Sequence, residues 1–204
     1  LGHTCIGMSK FIRGDYPSAI DSLKESTKVS LEPMYVYATK IMLGITYVAD
    51  GQFAEAEDIL DDILEFSDHH GYSFVSTMAL GLSGIVMIAK GNLSKGIDTV
   101  NNAIRSCSNN NSKWRYASLN MMLGRFYLQL AREGLGRAAP IHLKNLFFLI
   151  RIFPLAGKKA EHHLTIAADT AREIGAKGIL GQTGLELCRL YKLRGNIDRA
   201  KYCI

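Results

Sequence analysis

The chain has 204 residues, of which 48% are apolar and 21% charged, enough apolar side chain to bury a core and too little charge for a disordered segment. No stretch reaches the roughly 18 uninterrupted apolar residues of a membrane span, and no basic-apolar-cleavage pattern opens the chain, so a cytoplasmic location is expected. The net charge of +5 hides a strong polarity: residues 1–100 hold seven Lys/Arg against thirteen Asp/Glu, a balance of −6, and residues 101–204 hold seventeen against six, a balance of +11.

In chain order, the first element pair carries Ile6-Gly7, Gly14, Tyr16, Ala19 and Leu23. The second states the same frame most fully, as Leu43-Gly44-x-x-Tyr47-x-x-x-Gly51-x-Phe53-x-x-Ala56 with Leu60 and Ile63 behind it. Small Gly44 and Ala56 suit two helices that approach closely, Tyr47 packs across them, and Gly51 ends the first helix where a positive φ is needed. The frame returns as Ser83-Gly84, Met87, Gly91, Leu93, Gly96, Val100 and Ala103, then as Leu123-Gly124-x-x-Tyr127, then as Leu187-Cys188-x-x-Tyr191-x-x-x-Gly195-x-Ile197-x-x-Ala200. This is the tetratricopeptide pattern. It predicts an all-α chain of about eleven helices, stacked as about five helix hairpins in a right-handed superhelix.

The turn glycines Gly14, Gly51, Gly91 and Gly195 are 37, 40 and 104 residues apart, and the last gap exceeds two 40-residue periods by 24. The repeats therefore fall at about 1–30, 34–70, 72–108, 112–174 and 178–204, in one repeat domain read as a fragment of a larger protein with its last repeat truncated. The fourth repeat carries an insertion over 132–156, between Ala131, where its turn is expected, and Lys159-Ala160, where its second helix resumes with Leu164 and Ala167 in frame. Pro140 and Pro154 bracket a short insertion helix in this reading. That helix is rich in apolar residues over 141–153, with Lys144, Arg151, Lys158 and Lys159 around it. Such a pattern points to burial or a subunit contact, with contact to a membrane surface as the weaker alternative.

Three stretches add a resemblance to the 40-residue period: residues 60–72 (Leu-Asp-Asp-Ile-Leu-Glu-Phe-Ser-Asp-His-His-Gly-Tyr), 144–151 (Lys-Asn-Leu-Phe-Phe-Leu-Ile-Arg) and 171–182 (Ala-Arg-Glu-Ile-Gly-Ala-Lys-Gly-Ile-Leu-Gly-Gln). Together they resemble the C-terminal repeat region of bacterial multidomain class III adenylate/guanylate cyclases, in which a cyclase domain is followed by an AAA-type ATPase module. The resemblance implies that catalysis lies outside these residues and that this part is regulatory. Because class III cyclases build their active sites between two catalytic domains, it further implies that pairing two chains can control activity.

The residues themselves offer little chemistry. No phosphate-binding loop is present, and Gly175, Gly178, Gly181 and Gly184 follow no strand, which suits close helix packing instead. His69-His70 and His162-His163 are adjacent pairs that leave a helix in different directions, and Cys5, Cys107, Cys188 and Cys203 are scattered as reduced thiols filling small apolar sites are. The acids from Glu55 to Asp68 read as a solvated face, with Ile59, Leu60, Ile63, Leu64 and Phe66 on the buried side. A single Trp114 and no aromatic-basic interleaving argue against nucleic acid. The expectation is a chain with no cofactor, no metal and no catalytic residue.

Aligned repeats also place a candidate concave face on the first helix of each pair. In the first three repeats it comprises Met8, Phe11, Ile12, Ile41, Ile45, Val48, Met78, Ile85 and Ile88. In the last two it comprises Ser118, Met121, Arg125, Leu128, Gln129, Gln182, Arg189 and Lys192. A face that passes from apolar to basic suits an acidic amphipathic helix, supplied by a protein partner or by a second copy in a homodimer. The alternative is a sensor whose Arg125, Arg189 and Lys192 gather a small anionic ligand.

Overall fold

Helix starts and stops follow local chemistry. Asp15 caps α2 (Tyr16–Val29) by accepting the Ser18 amide with Pro17 in the first turn, and Glu32 does the same for Met34 ahead of α3 (Pro33–Asp50), which opens on Pro33. Gly51 closes α3 in the left-handed region (φ 79°), its N–H directed to the carbonyls of Tyr47 and Val48. The other turn glycines of the frame, Gly14, Gly91 and Gly195, share a positive φ, as do Gly71 and Gly175.

The computed structural model describes residues 2–109, 112–137, 146–201 and 203. These divide into two compact units, residues 1–90 and 91–204. The first holds α1 (Gly2–Ile12), α2 (Tyr16–Val29), α3 (Pro33–Asp50), α4 (Phe53–His70) and α5 (Ser73–Ala89). The second holds α6 (Leu93–Asn109), α7 (Lys113–Arg137), α8 (Leu146–Glu173), α9 (Lys177–Leu193) and α10 (Ile197–Lys201). No strand occurs among the described residues. Within each unit every helix packs on the next in sequence, and alternate helices also meet: α1 with α3, α3 with α5, and α7 with α9.

In the first unit Ala19, Leu23, Ala56, Leu60, Ile63, Val75, Ala79, Leu82 and Val86 are wholly buried, and Tyr47 is 6% exposed. A buried side chain the size of Leu60 contributes about 1.5–3 kcal/mol before entropy is counted. The expected outward face of α4 is present: Glu55, Asp58, Asp61, Asp62, Glu65 and Asp68 are exposed, while Ile59, Leu64 and Phe66 are half-buried. Phe66 stacks on Tyr37 (centroids 3.6 Å, 10°), and His70 and Tyr72 extend the stack, so His70 packs as an aromatic ring.

Glycine packing departs from expectation. A Cβ added at Gly44 meets Ile59 and Leu60 at an ordinary 3.5 Å, so space does not require glycine there. At Gly7 it falls 2.7 Å from the Leu23 side chain, and at Gly124 it falls 2.8 Å from the Leu164 side chain and 3.2 Å from its backbone nitrogen. Of the four glycines in 175–184, Gly178 and Gly181 face open space, Gly175 serves a turn, and only Gly184 sits against backbone, at the carbonyl of Cys203.

The insertion is also corrected. The turn expected at Ala131 is absent, because α7 continues to Arg137, and Pro154 lies inside α8 instead of ending a short helix. The insertion thus lengthens two arms of one hairpin to 25 and 28 residues, against 17 or 18 for α3, α4, α5, α6 and α9, and ten helices stand among the described residues where about eleven were expected. Pro140 and residues 138–145 lie outside the described residues. Along α8 a single buried stripe runs through Leu149, Ile152, Ala156, Ala160, Leu164, Ala167 and Ala171, while Ile150 and Leu155 are exposed. Over residues 148–173 the arm is therefore buried on one side, not on most sides.

Candidate functional site

In the second unit α7 places Arg125, Leu128, Gln129 and Arg132 on one side at three- and four-residue spacing, and α9 does the same with Glu186, Arg189 and Leu193. These seven residues line a pocket of about 220 Å³. Its anchor is Glu186, whose side chain is only 9% exposed. One oxygen, Oε1, forms an ion pair with Arg125 Nε at 3.2 Å and accepts a hydrogen bond from Arg189 Nη1 at 3.0 Å. A carboxylate so far from water needs partners of this kind, and two guanidinium groups supply them.

The arginines are not used up by that pairing. Arg125 and Arg189 leave 54% and 53% of their side chains exposed, and Arg132, at 62%, is joined among the described residues only to its neighbour Glu133 at 3.3 Å. Three guanidinium groups thus face one lining carboxylate. Gln129 donates to Glu133 Oε1 at 3.2 Å, which turns Glu133 toward α7's own surface. Leu128 is buried and Leu193 is 46% exposed, giving the pocket an apolar floor and one apolar lip. Lys192 is exposed one residue before Leu193 and makes no ion pair among the described residues. The arrangement is suited to holding an anionic group by charge-assisted hydrogen bonds.

Of the residues expected on the concave face, Arg125, Leu128, Gln129 and Arg189 therefore stand in one pocket. Alignment of the repeats missed Glu186, Arg132 and Leu193, although Glu186 and Arg189 stand at i,i+3 and Arg125, Gln129 and Arg132 at i,i+4,i+7. Met121 lies apart, half-buried against Ala117, Ala171 and Ile179. In the first unit Ile41, Met78 and Ile88 are buried in the core (6%, 2% and 6% exposed), Ile45, Val48 and Ile85 are half-buried, and Met8 and Ile12 are exposed.

A second polar cluster lies between α7 and α8. His163 Nδ1 is 2.9 Å from Asn120 Oδ1, and its ring stacks on Tyr127 with centroids 5.7 Å apart. Burial, with His162 and Lys159 nearby, lowers the His163 pKa to about 4, and burial, with Asp98, pushes the Tyr127 hydroxyl up to about 12. Both groups stay neutral and structural near pH 7. Glu161 joins α8 to the last two helices through Arg194 (2.5 Å), Tyr191 (2.9 Å) and Arg199 (3.4 Å), and the Arg194 bond leads in holding its carboxyl below the ordinary range. Among the described residues no group of His, Cys, Asp and Glu is placed to hold a metal ion, and no helix is long and apolar enough to cross a membrane. The four cysteines are free; Cys107 and Cys188 are buried as expected, whereas Cys5 is exposed.

Fold and site together define an all-helical protein with an arginine-lined pocket between α7 and α9. No family model matches the chain, and no curated relative does. Among solved structures, the crystal structure of BtubC (BKLC) from P. vanneervenii is similar, with a TM-score of 0.57 at 13% identity over 99% of this chain and 75% of that one. At that identity the likeness is one of fold alone.

Proposed function

We propose that this chain is a non-catalytic interaction module: a tetratricopeptide-like superhelix of about five hairpins that docks an acidic amphipathic helix. In this reading it is the cytoplasmic, regulatory part of a larger signalling protein of the class III cyclase type that the sequence resembles. The observation that carries the proposal is the α7–α9 pocket, where half-exposed Arg125 and Arg189 pair with one buried carboxylate and exposed Arg132 lines the same pocket beside apolar Leu128 and Leu193. Charged groups with an apolar lip orient a docked helix, while the apolar contacts hold it.

A fluorescence-anisotropy titration tests this, with a labelled acidic amphipathic peptide set against the same peptide carrying Gln for Glu. The acidic peptide is expected to bind about tenfold more tightly or better, a difference of about 1.4 kcal/mol. Equal binding by the two, or none by either, contradicts the proposal. Ile45→Asp and Ile85→Asp, at half-buried positions of the first unit, ask separately whether the apolar part of the predicted face takes part. If their peptide affinity matches wild type in folded protein, docking is confined to the second unit.

The pocket's small volume and arginine lining favour one second reading, a sensor for a small anionic ligand. Thermal shift with a panel of anionic metabolites distinguishes it, since a ligand selective for the native state raises apparent stability by mass action.

A further inference from the structure

The proposed module has an acidic helix of its own, and we infer that the pocket's partner is a second copy of this chain, whose α4 ridge docks against α7 and α9 in a head-to-tail contact. This rests on the interaction reading above and names its partner. Charge complementarity is the first support: residues 1–90 hold six Lys/Arg against twelve Asp/Glu, a balance of −6, and residues 91–204 hold eighteen against seven, a balance of +11. Opposite potentials on separate units of one chain attract between copies and give orientation to the encounter.

The second support is availability. On α4, Asp62 is taken by Lys40 at 2.5 Å and Glu57 by Lys90 at 2.6 Å, both within the first unit. Asp58, Asp61, Glu65 and Asp68 are exposed, and among the described residues no cation pairs with them. They recur at three- and four-residue spacing and so share one face of the helix. Register is the third support. Asp58 and Glu65, like Asp61 and Asp68, are seven residues apart, as are Arg125 and Arg132, and seven residues of helix rise about 10.5 Å. Two carboxylates of one copy therefore match two guanidinium groups of the next, with Arg189 beside them. Such a contact uses different patches on the two partners, so association continues past the dimer unless a ring closes.

Sedimentation velocity over a wide concentration range tests the inference with two variants altered only at exposed positions. The ridge variant is Asp61→Lys with Glu65→Lys; the pocket variant is Arg132→Glu with Lys192→Glu, which leaves the Glu186 pairing intact. Circular dichroism checks that both keep wild-type helix content. Wild type is expected to self-associate at low ionic strength and to dissociate in about 1 M salt, where the screening length is about 3 Å. Each variant alone is expected to associate at least about tenfold more weakly. An equimolar mixture is expected to recover association, because the ridge of one variant fits the pocket of the other and the two reversed faces fit each other.

A wild type that stays monomeric throughout, variants that associate like wild type, or a mixture that fails to recover would each overturn the inference. Titration of the acidic peptide into the same samples separates the two levels. A monomeric wild type that still binds the peptide leaves the interaction reading standing with a different partner, whereas failure in both assays removes both.

Discussion

At Gly124 the tolerance for a methyl group is set by Leu164, whose backbone nitrogen and side chain close over the position from α8. Gly124→Ala is expected to destabilise the protein by about 1–3 kcal/mol, because the backbone on the far side cannot rotate away. Gly44→Ala is expected to be neutral or stabilising by up to about 1 kcal/mol, since the new Cβ meets only ordinary contacts and alanine restricts the unfolded chain. Chemical denaturation of the two variants checks both signs. The repeat frame shows glycine at both sites without distinction, because the sequence gives the helix face and not the distance to the facing helix. His163 gives the residue scale its pH dependence. Its pKa falls from the ordinary 6.5 to about 4 on folding, so the unfolded chain binds a proton first as pH drops. The stabilisation is complete above about pH 6.5 and declines from there toward pH 4. Melting temperatures across that window are expected to fall more steeply for wild type than for His163→Gln. Glu161, whose carboxyl is held low, keeps its contribution above the ordinary carboxylate range and loses it only at more acidic pH, which separates the two groups.

Among the elements, those with capped or glycine-closed ends were legible and the lengthened hairpin was not. Gly51 had to adopt a positive φ whatever packed beside it, so the α3 stop could be read from local chemistry alone. Pro154 misled because its usual meaning, a helix boundary, rests on the lost hydrogen bond and the ring clash, about 3 kcal/mol in a helix interior. In α8 the buried stripe from Leu149 to Ala171 continues on both sides of the proline, and packing along that stripe outweighs the local penalty. Ile150, whose carbonyl loses the amide that Pro154 lacks, is 53% exposed, so water can reach that turn. Pro154→Ala is accordingly expected to raise stability by about 1–3 kcal/mol, as measured by thermal or denaturant unfolding. A loss of stability would show that the proline sets a bend on which the packing depends.

For the whole molecule, the charge polarity and the basic end of the predicted face were legible, but the depth of the apolar end was not. Ile88 occupies the same frame position as half-buried Val48, yet it is covered in the core, as are Ile41 and Met78 elsewhere on the same predicted face. A repeat pattern fixes direction around a helix; how far the next helix leans over it depends on side-chain volumes along the whole contact. Arginines resist such covering because an unpaired buried guanidinium is costly, which is why Arg125, Arg189 and Lys192 stayed on the surface where the sequence placed them. The interaction reading stands on that surface, and its location is directly measurable. Backbone amide shifts of the isotope-labelled chain, followed by NMR as an acidic amphipathic helix is added at low salt, are predicted to change in α7 around Arg125–Arg132 and in α9 around Glu186–Leu193. Shifts that leave both segments unmoved, or that concentrate on α1 or α8 instead, would contradict the account.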